Sequence, residues 1–305
     1  MKIIITGAGG YLGSVLAPFL ADRGHEIVLV ARRDLGFSLP QNARFARWDG
    51  ENLGDWAREI DGAGAVINLA GRSVNCRYNE QNKREILESR LKTTRIVARA
   101  IAEADNPPRV WLNASGAIYQ DQREKGLDEN GALGDGFSVE VCKAWESALF
   151  ETELPHTRRV ALRIALIFGK TAPVFKVFAR LTKFGLGGPQ GDGGQYVSWI
   201  HERDCTRAIL WLLENEALSG PVNVCAPKPL PNREFVRVLR RVFHVRIGLP
   251  APTLAMKIGA IFLRTETELA LKSRRAVPQK LLDAGFCFDF PKWSDAARDI
   301  VSQAL

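Results

Sequence analysis

Residues 1–20 read MKIIITGAGGYLGSVLAPFL. Lys2–Ile5 form a short β-branched apolar run, the pattern of a buried strand. Gly13–Arg23 follow with Val15, Leu16, Phe19 and Leu20 at helical spacing, and Gly24 closes that helix. Between the two stand Thr6 and then Gly7-x-x-Gly10-x-x-Gly13. Glycines permit a tight turn and let the backbone approach a pyrophosphate, while the helix start offers free N–H groups and a positive dipole end. A strand before and a helix after make this spacing read as a dinucleotide-binding turn. The competing reading is that the glycines serve the turn alone.

The alternation continues outward. Residues 26–32 (EIVLVAR), 43–49 (ARFARWD), 64–71 (GAVINLAG), 109–116 (RVWLNASG) and 159–169 (RVALRIALIFG) read as further strands. Helices are expected over 53–60, 82–103 and 137–150. Such alternation predicts an α/β fold, a parallel sheet with helices on both faces. After Gly169 the texture changes. Residues 184–195 (FGLGGPQGDGGQ) read as a loop, and helices over 206–214 and 232–243 flank a strand at 221–226. The apolar PTLAMKIGAIFL at 252–263 reads as a buried or docking helix.

The chain has 305 residues, 46% hydrophobic and 25% charged. That composition excludes a disordered chain and supplies a core for one large domain or two smaller ones. The net charge is +8, and the densest basic stretch is FVRVLRRVFHVR at 235–246. A surplus of this kind attracts nucleic acid or a small anion, or is simply solvated. No zinc-finger spacing or RNA-binding aromatic motif accompanies it, so no nucleic-acid partner is expected. Cys76, Cys142, Cys205, Cys225 and Cys287 are scattered and form no CxxC pair. They point to a reducing cytoplasm and against a disulfide frame or a metal site. MKIIITG lacks the features of a signal peptide, and no apolar stretch approaches the roughly 20 residues that span a bilayer. The expectation is a cytoplasmic protein with a small-molecule substrate and no membrane partner, as a monomer or a homodimer.

The second strand decides which dinucleotide. An acid at its end would bind ribose hydroxyls and favour NAD. VLVARRD places Arg32 and Arg33 there instead, and guanidinium suits a phosphate. NADP is therefore favoured. Asp34 follows and partly restores an NAD option, and two solvated arginines are the plainer alternative.

These residues resemble the extended short-chain dehydrogenase/reductases. TGAGGYLG looks like their TGxxGxxG. INLAG resembles the cofactor-side strand end, LNASGAIY the strand carrying the catalytic Ser (here Ser115), LRIALIFG the strand approaching the nicotinamide, and SWIHERDCTRAI a later segment. GRSVNCRYNEQNKREILESRLKTT, GLGGPQGDGGQYVSWIHERD and AVPQKLLDAGFCFDFPKWSDAARDIV are similar, more narrowly, to an epimerase-family branch that ends in a small domain of unknown function. The resemblance implies a Rossmann-type doubly wound sheet over 1–170, with parts of 195–228 returning to it. It also implies a smaller C-terminal α+β lobe over 171–305 that closes a substrate cleft and includes a terminal domain at about 250–300. The implied cofactor set is Thr6, Gly7, Gly10, Tyr11, Leu12, Gly13, Arg32, Arg33, Asp49, Leu69, Ala70, Gly71 and Lys143.

The chemistry of that superfamily uses Tyr-x-x-x-Lys on the helix after the Ser strand, because residues four apart share a helix face. The Lys lowers the Tyr pKa, and the Tyr exchanges a proton with the substrate oxygen. Here Lys143 matches the lysine, but Val139 stands where the tyrosine would be. None of Tyr11, Tyr78, Tyr119 and Tyr196 has a lysine four residues later. Tyr119, four after Ser115, is the first candidate replacement, set against the packing role a Tyr often has there in the superfamily; Cys142, Glu140 and His201 are weaker, a lone His being more often structural. Arg90 falls where many relatives carry Asn and suits a substrate carboxylate or phosphate, or else pairs with a neighbouring acid. Tyr196, Trp199 and His201 join Arg90 as substrate-side candidates. The expectation is an NADP-dependent oxidoreductase or epimerase-like enzyme acting on a small carbonyl or hydroxyl compound. The alternative, motivated by Val139, is an NADP-binding sensor without redox turnover.

Overall fold

The computed structural model describes residues 1–116, 119–253 and 272–304. Seven strands form one sheet: β1 (Lys2–Thr6), β2 (Glu26–Ala31), β3 (Ala43–Arg47), β4 (Ala65–Asn68), β5 (Val110–Gly116), β6 (Arg158–Ile164) and β10 (Gly220–Val224). Their order is β10-β6-β5-β4-β1-β2-β3, and every pairing is parallel. The order runs outward from β1 in both directions. The reversal between β1 and β4 leaves a crevice beyond the carboxyl ends of the strands, where ligands of such sheets bind.

Alternation along each strand splits the core in two. Ile3, Ile5, Ile27, Leu29, Ile67, Leu112, Leu162 and Val222 face helices α1 (Tyr11–Ala21) and α5 (Glu202–Glu214), where Leu16, Leu20, Ile209 and Leu212 are buried. Ile4, Val28, Val66, Trp111 and Ala161 face α2 (Glu80–Ala102) and α3 (Phe137–Glu151), packing on Val97, Ile101 and Leu149. Both faces are dry, which is why the strands read as unbroken apolar runs.

A third cluster lies in the C-terminal part. α4 (Pro173–Lys183), α6 (Asn232–Val242) and α8 (Trp293–Ala304) bury Phe175, Phe235, Leu239, Trp293 and Ile300 around Phe168 and Trp199. The Phe235 and Trp293 rings stack with centroids 4.1 Å apart. Leu281, in the short α7 (Gln279–Asp283), and Phe286 join the first cluster, so the tail also packs back on the sheet.

The expected sixth strand is two strands. β6 ends at Ile164, and β7 (Leu166–Phe168) leaves the sheet to pair with β9 (Trp199–His201). The Ala165 N–H donates to Val224 O, which turns the chain away. Apolar residues continue through this switch, so hydrophobicity alone does not register it. Helix α4 lies where only a change of texture was read; Pro173 opens it, because a proline costs no hydrogen bond in the first turn. α5 begins at Glu202 rather than Thr206, because the His201 side chain caps it. β8 (Tyr196–Val197) and β11 (Leu230–Pro231) form a small antiparallel pair. From residue 254 onward, the helix expected at 252–263 lies outside the described residues.

Phe235 is fully buried against Trp293, Phe168 and Phe178. Phe235→Ala is expected to lower unfolding free energy by about 3–5 kcal/mol, read by chemical denaturation.

Candidate active site

The three glycines of the first turn do three different jobs. Gly7 has φ of +72°, and a Cβ there would lie 2.5 Å from the Ala70 nitrogen. Only glycine lets the turn pass this close to the end of β4. At Gly13 a Cβ would collide with the Ala8 carbonyl, so glycine lets α1 sit down on the loop. Gly10 has no such neighbour; the closest atom to a Cβ there is Gly7 O at 3.5 Å. It leaves open space in front of the helix start, where no side chain caps the free N–H groups. A second tie fixes this end. The Tyr11 hydroxyl donates to the Glu202 carboxylate at the start of α5, and Gly169 leaves room for the pair. Tyr11 therefore contributes to the turn through its backbone, its side chain being engaged elsewhere. Leu12 packs against the first core cluster.

Arg32 and Arg33 stand exposed at the end of β2, and neither forms an ion pair among the described residues. Arg32 lies beside Gly50. Asp49 is exposed and already occupied: it accepts from the backbone N–H groups of Glu51 and Asn52 at 2.7 and 2.8 Å. The Asn52 side chain donates to it as well, and together these bonds hold its pKa below the usual range. Asp49 thus closes its own loop.

Under the turn lies a buried polar seam that the sequence reading did not identify. Thr6 Oγ1 donates to Asn68 Oδ1 at 2.6 Å, and Asn68 Nδ2 donates to Asn113 Oδ1 at 2.6 Å. Trp145 Nε1 donates to Thr94 Oγ1 at 2.9 Å, and Thr94 lies 3.3 Å from Asn68 Nδ2. Asn68 Oδ1 also accepts from the Ala70 N–H at 3.1 Å. The seam fixes the ends of β1, β4 and β5 relative to one another.

Ser115 sits at the end of β5, and its hydroxyl donates to Glu146 Oε1 at 2.7 Å. Arg163 grips the same carboxylate through two bonds, Nε to Oε1 at 2.9 Å and Nη2 to Oε2 at 2.8 Å. Arg163 Nη1 donates to the Tyr119 hydroxyl and to Glu129 O, each at 3.0 Å. Tyr119 in turn donates to Asn223 Oδ1. All are buried, Tyr119 to 1% exposure. Burial raises the Tyr119 pKa to about 12 against the pull of Arg163. This overturns the expectation for Tyr119: its hydroxyl is enclosed by Arg163 and Asn223 rather than free for a substrate.

Beside Ser115 a second group converges. The Cys142 sulfur lies against Gly116, where a Cβ would come within 3.1 Å of it. Burial pushes the thiol pKa up, and the Arg90 guanidinium pulls the other way. Arg90 packs on Gly71, lies 4.8 Å from the Trp145 ring, and donates to the carbonyls of Arg72 and Ile86 at 2.9 Å. Among the described residues no carboxylate pairs with it, so the ion-pair alternative for Arg90 does not hold. The cation is half-buried at the carboxyl ends of β4 and β5, the position where open α/β sheets bind ligands.

Residues 3–225 match the NAD dependent epimerase/dehydratase family, and residues 251–300 match a domain of unknown function (DUF1731). The chain belongs to the NAD dependent epimerase/dehydratase family. Epimerase family protein SDR39U1 of Homo sapiens is 31% identical over 99% of this chain and 100% of its own. Epimerase family protein YfhF of Bacillus subtilis is 31% identical over 99% and 98%. The crystal structure of human epimerase family protein SDR39U1 (isoform 2) with NADPH matches with a TM-score of 0.88 at 29% identity, covering 99% of each chain. The structure of UDP-N-acetylglucosamine 4-epimerase from Bacillus cereus has the same fold, with a TM-score of 0.78 at 18% identity over 100% of this chain and 99% of its own.

In this epimerase-family chain the Tyr-Lys helix is rebuilt. Val139 is fully buried. Lys143 is half-buried and donates to Gly134 O and Glu140 Oε1, each at 3.1 Å, tying α3 to the loop before it. Of the α3 candidates, Cys142 is the one that meets the end of β5. Two substrate-side expectations are also corrected. Trp199 is fully buried in the third cluster, its indole N–H 3.3 Å from Lys228 O. His201 is 2% exposed; Nδ1 accepts from the Arg203 N–H at 3.1 Å, Nε2 faces Asp299 at 3.1 Å, and the ring stacks on Phe290. It is a helix cap. Tyr196 is half-buried under the Arg275 guanidinium. Glu146 and Arg163 were missed, although an arginine inside the apolar run VALRIAL is itself a signal of a buried partner.

Three measurements follow from this geometry. Glu146→Gln leaves the Arg163 charge buried without its counter-ion and is expected to cost about 3–5 kcal/mol in chemical denaturation. Ser115→Ala removes a hydrogen bond to a charged carboxylate and is expected to cost about 1.5–3 kcal/mol. Burial lowers the His201 pKa below its ordinary 6.5. The unfolded chain therefore binds protons first on acidification, and stability is lost as pH falls below about 6.5. His201→Asn keeps a capping acceptor and is expected to flatten that acid-side slope in urea unfolding across pH.

Proposed function

We propose that this chain binds NADP(H) in the glycine turn and acts as an oxidoreductase or epimerase-like enzyme on a small carbonyl or hydroxyl compound. The observation that carries this reading is the convergence of Ser115, Cys142 and Arg90 beside Gly71, at the sheet end where the turn opens. The NADPH in the human relative's structure supports the choice of cofactor. So does the pair of arginines after β2, which form no ion pair among the described residues, in a family otherwise described as NAD dependent.

Gly7, Gly10 and Gly13 would admit the diphosphate to the N–H groups of α1, and Arg32 and Arg33 would take the 2′-phosphate. When bound, the nicotinamide supplies hydride exchange with a carbon that bears oxygen. The chain's own groups then have separate tasks. Ser115 donates its hydroxyl hydrogen bond to Glu146, so a lone pair on its oxygen would accept from a substrate hydroxyl. Arg90 offers fixed positive charge to an oxyanion or to a substrate acid group. Tyr119 holds Arg163, and through it Glu146, in place. Residues 1–170 carry the cofactor in this reading, and the part built around Phe168, Phe235 and Trp293 forms the substrate side.

The runner-up is an NADP-responsive sensor without turnover, favoured by the buried Val139 where the family acid would stand. Calorimetry separates cofactor choice first. Arg32→Ala with Arg33→Ala is expected to weaken NADPH binding about ten- to a hundredfold while leaving NADH within a few-fold. Tighter NADH than NADPH binding by the unaltered chain would refute the assignment. A carbonyl panel followed at the NADPH absorbance then separates enzyme from sensor. Turnover that falls at least about a hundredfold in Ser115→Ala or Arg90→Met, with unchanged NADPH affinity, is the expected result. Tight NADPH binding with no oxidation across the panel favours the sensor.

A further inference from the structure

Two helices carry almost all of the chain's surplus charge. α4 bears Lys176, Arg180 and Lys183. Residues 232–250, α6 and the turn after it, bear Arg233, Arg237, Arg240, Arg241 and Arg246, with Glu234 the single acid. These two stretches hold eight bases and one acid of the chain's 42 and 34, a net +7 out of +8. Everything outside them is within one charge of neutral.

The rest of the surface pairs many of its bases: Arg44 with Glu26 and Glu59, Arg95 with Glu151, Arg123 with Asp192. None of the eight forms an ion pair among the described residues. α4 and α6 pack on one another and bury Phe175, Phe235 and Leu239 in the same cluster, which turns their basic faces outward together. Seven of the eight are exposed; Arg240 is half-buried and donates to Gly187 O at 3.0 Å. A groove of about 460 Å³ lies between Arg237, Arg241, His244 and Arg246.

Apolar side chains stand beside this charge. The loops after α4 and α6 are joined backbone to backbone, Leu249 N–H to Gly185 O at 2.8 Å and Gly188 N–H to Leu249 O at 3.2 Å. The four most exposed large hydrophobic side chains among the described residues all lie here: Phe184 at 72%, Ile247 at 69%, Leu249 at 57% and Val177 at 53%. Nucleic-acid phosphates would reward the cations but give Ile247 and Leu249 nothing, since base stacking needs flat rings. An anionic bilayer rewards both, with headgroup phosphates for the guanidinium groups and an interface for the apolar side chains. No described helix is long and apolar enough to cross a membrane, so the contact is with the surface.

We propose that the α4–α6 face docks on an anionic phospholipid bilayer, with the groove arginines on headgroup phosphates and Phe184, Ile247 and Leu249 in the interface. The test is co-sedimentation of the full chain with phosphatidylglycerol-containing vesicles and with pure phosphatidylcholine vesicles. The expected result is binding to the anionic vesicles alone, falling as salt is raised. Arg237→Glu with Arg241→Glu is expected to weaken it by at least about tenfold. Phe184→Ser with Ile247→Ser is expected to leave a weaker binding that added salt abolishes. Both variants should melt at the wild-type Tm, which separates lost docking from lost fold. No binding to anionic vesicles at low salt overturns the proposal. So does tight binding of single-stranded nucleic acid that vesicles fail to displace and the Phe184/Ile247 variant retains.

Discussion

The ion pair between Arg163 and Glu146 governs the candidate site. Both groups are under 10% exposed, and neither charge is tolerable there without the other. The guanidinium spends its donors on Glu146, Tyr119 and Glu129 O, and Oε1 of the carboxylate also accepts from Ser115. Geometry then propagates. Tyr119 must face Asn223, and Asn223 must take the backbone of β10 against Glu129, its N–H donating to Glu129 Oε1 at 2.9 Å. One buried pair thus joins α3, β5, β6, β10 and the 119–134 loop, and it fixes which lone pair Ser115 shows to the crevice.

The glycine turn is held by a different device. Gly7 must pass close to Ala70, so the end of β4 is part of the turn even though some sixty residues separate them. Tyr11 and Glu202 join α1 to α5 across the top of the sheet. The opening at Gly10 is the only one of the three glycine positions that faces space, and that asymmetry is what a ligand-approach site requires and a mere turn does not.

The sheet and its glycine turn were legible because their signals are local. Apolar strand runs such as IIIT and the spacing of Gly7, Gly10 and Gly13 each depend on residues a few positions apart. The break at Ala165 was not legible: RVALRIALIFG is apolar throughout, and only the partner strand decides where each half pairs. The partners of Tyr119 and His201 were hidden for a related reason. A polar side chain near a strand end looks the same in sequence whether it faces a crevice or a buried arginine, and the deciding partners, Arg163 and Asp299, lie 44 and 98 residues away. The cap on α5 shows the same limit, since histidine is not among the residues whose type announces a cap.

The absence of a phenol on α3 changes what kind of catalysis the crevice can support. A Tyr-Lys pair moves a proton; a half-buried guanidinium does not, because even a lowered arginine pKa keeps it charged. Among the described residues no carboxylate neutralises Arg90, and Trp145 and Gly71 pack against it. A fixed cation of that kind stabilises developing negative charge on oxygen without reorganising. Ser115 donates to Glu146 and keeps a lone pair with which to accept. In the function proposed above, the site would hold a hydroxyl by its hydrogen and an oxyanion by its charge, which leaves the proton itself to come from water or from the substrate.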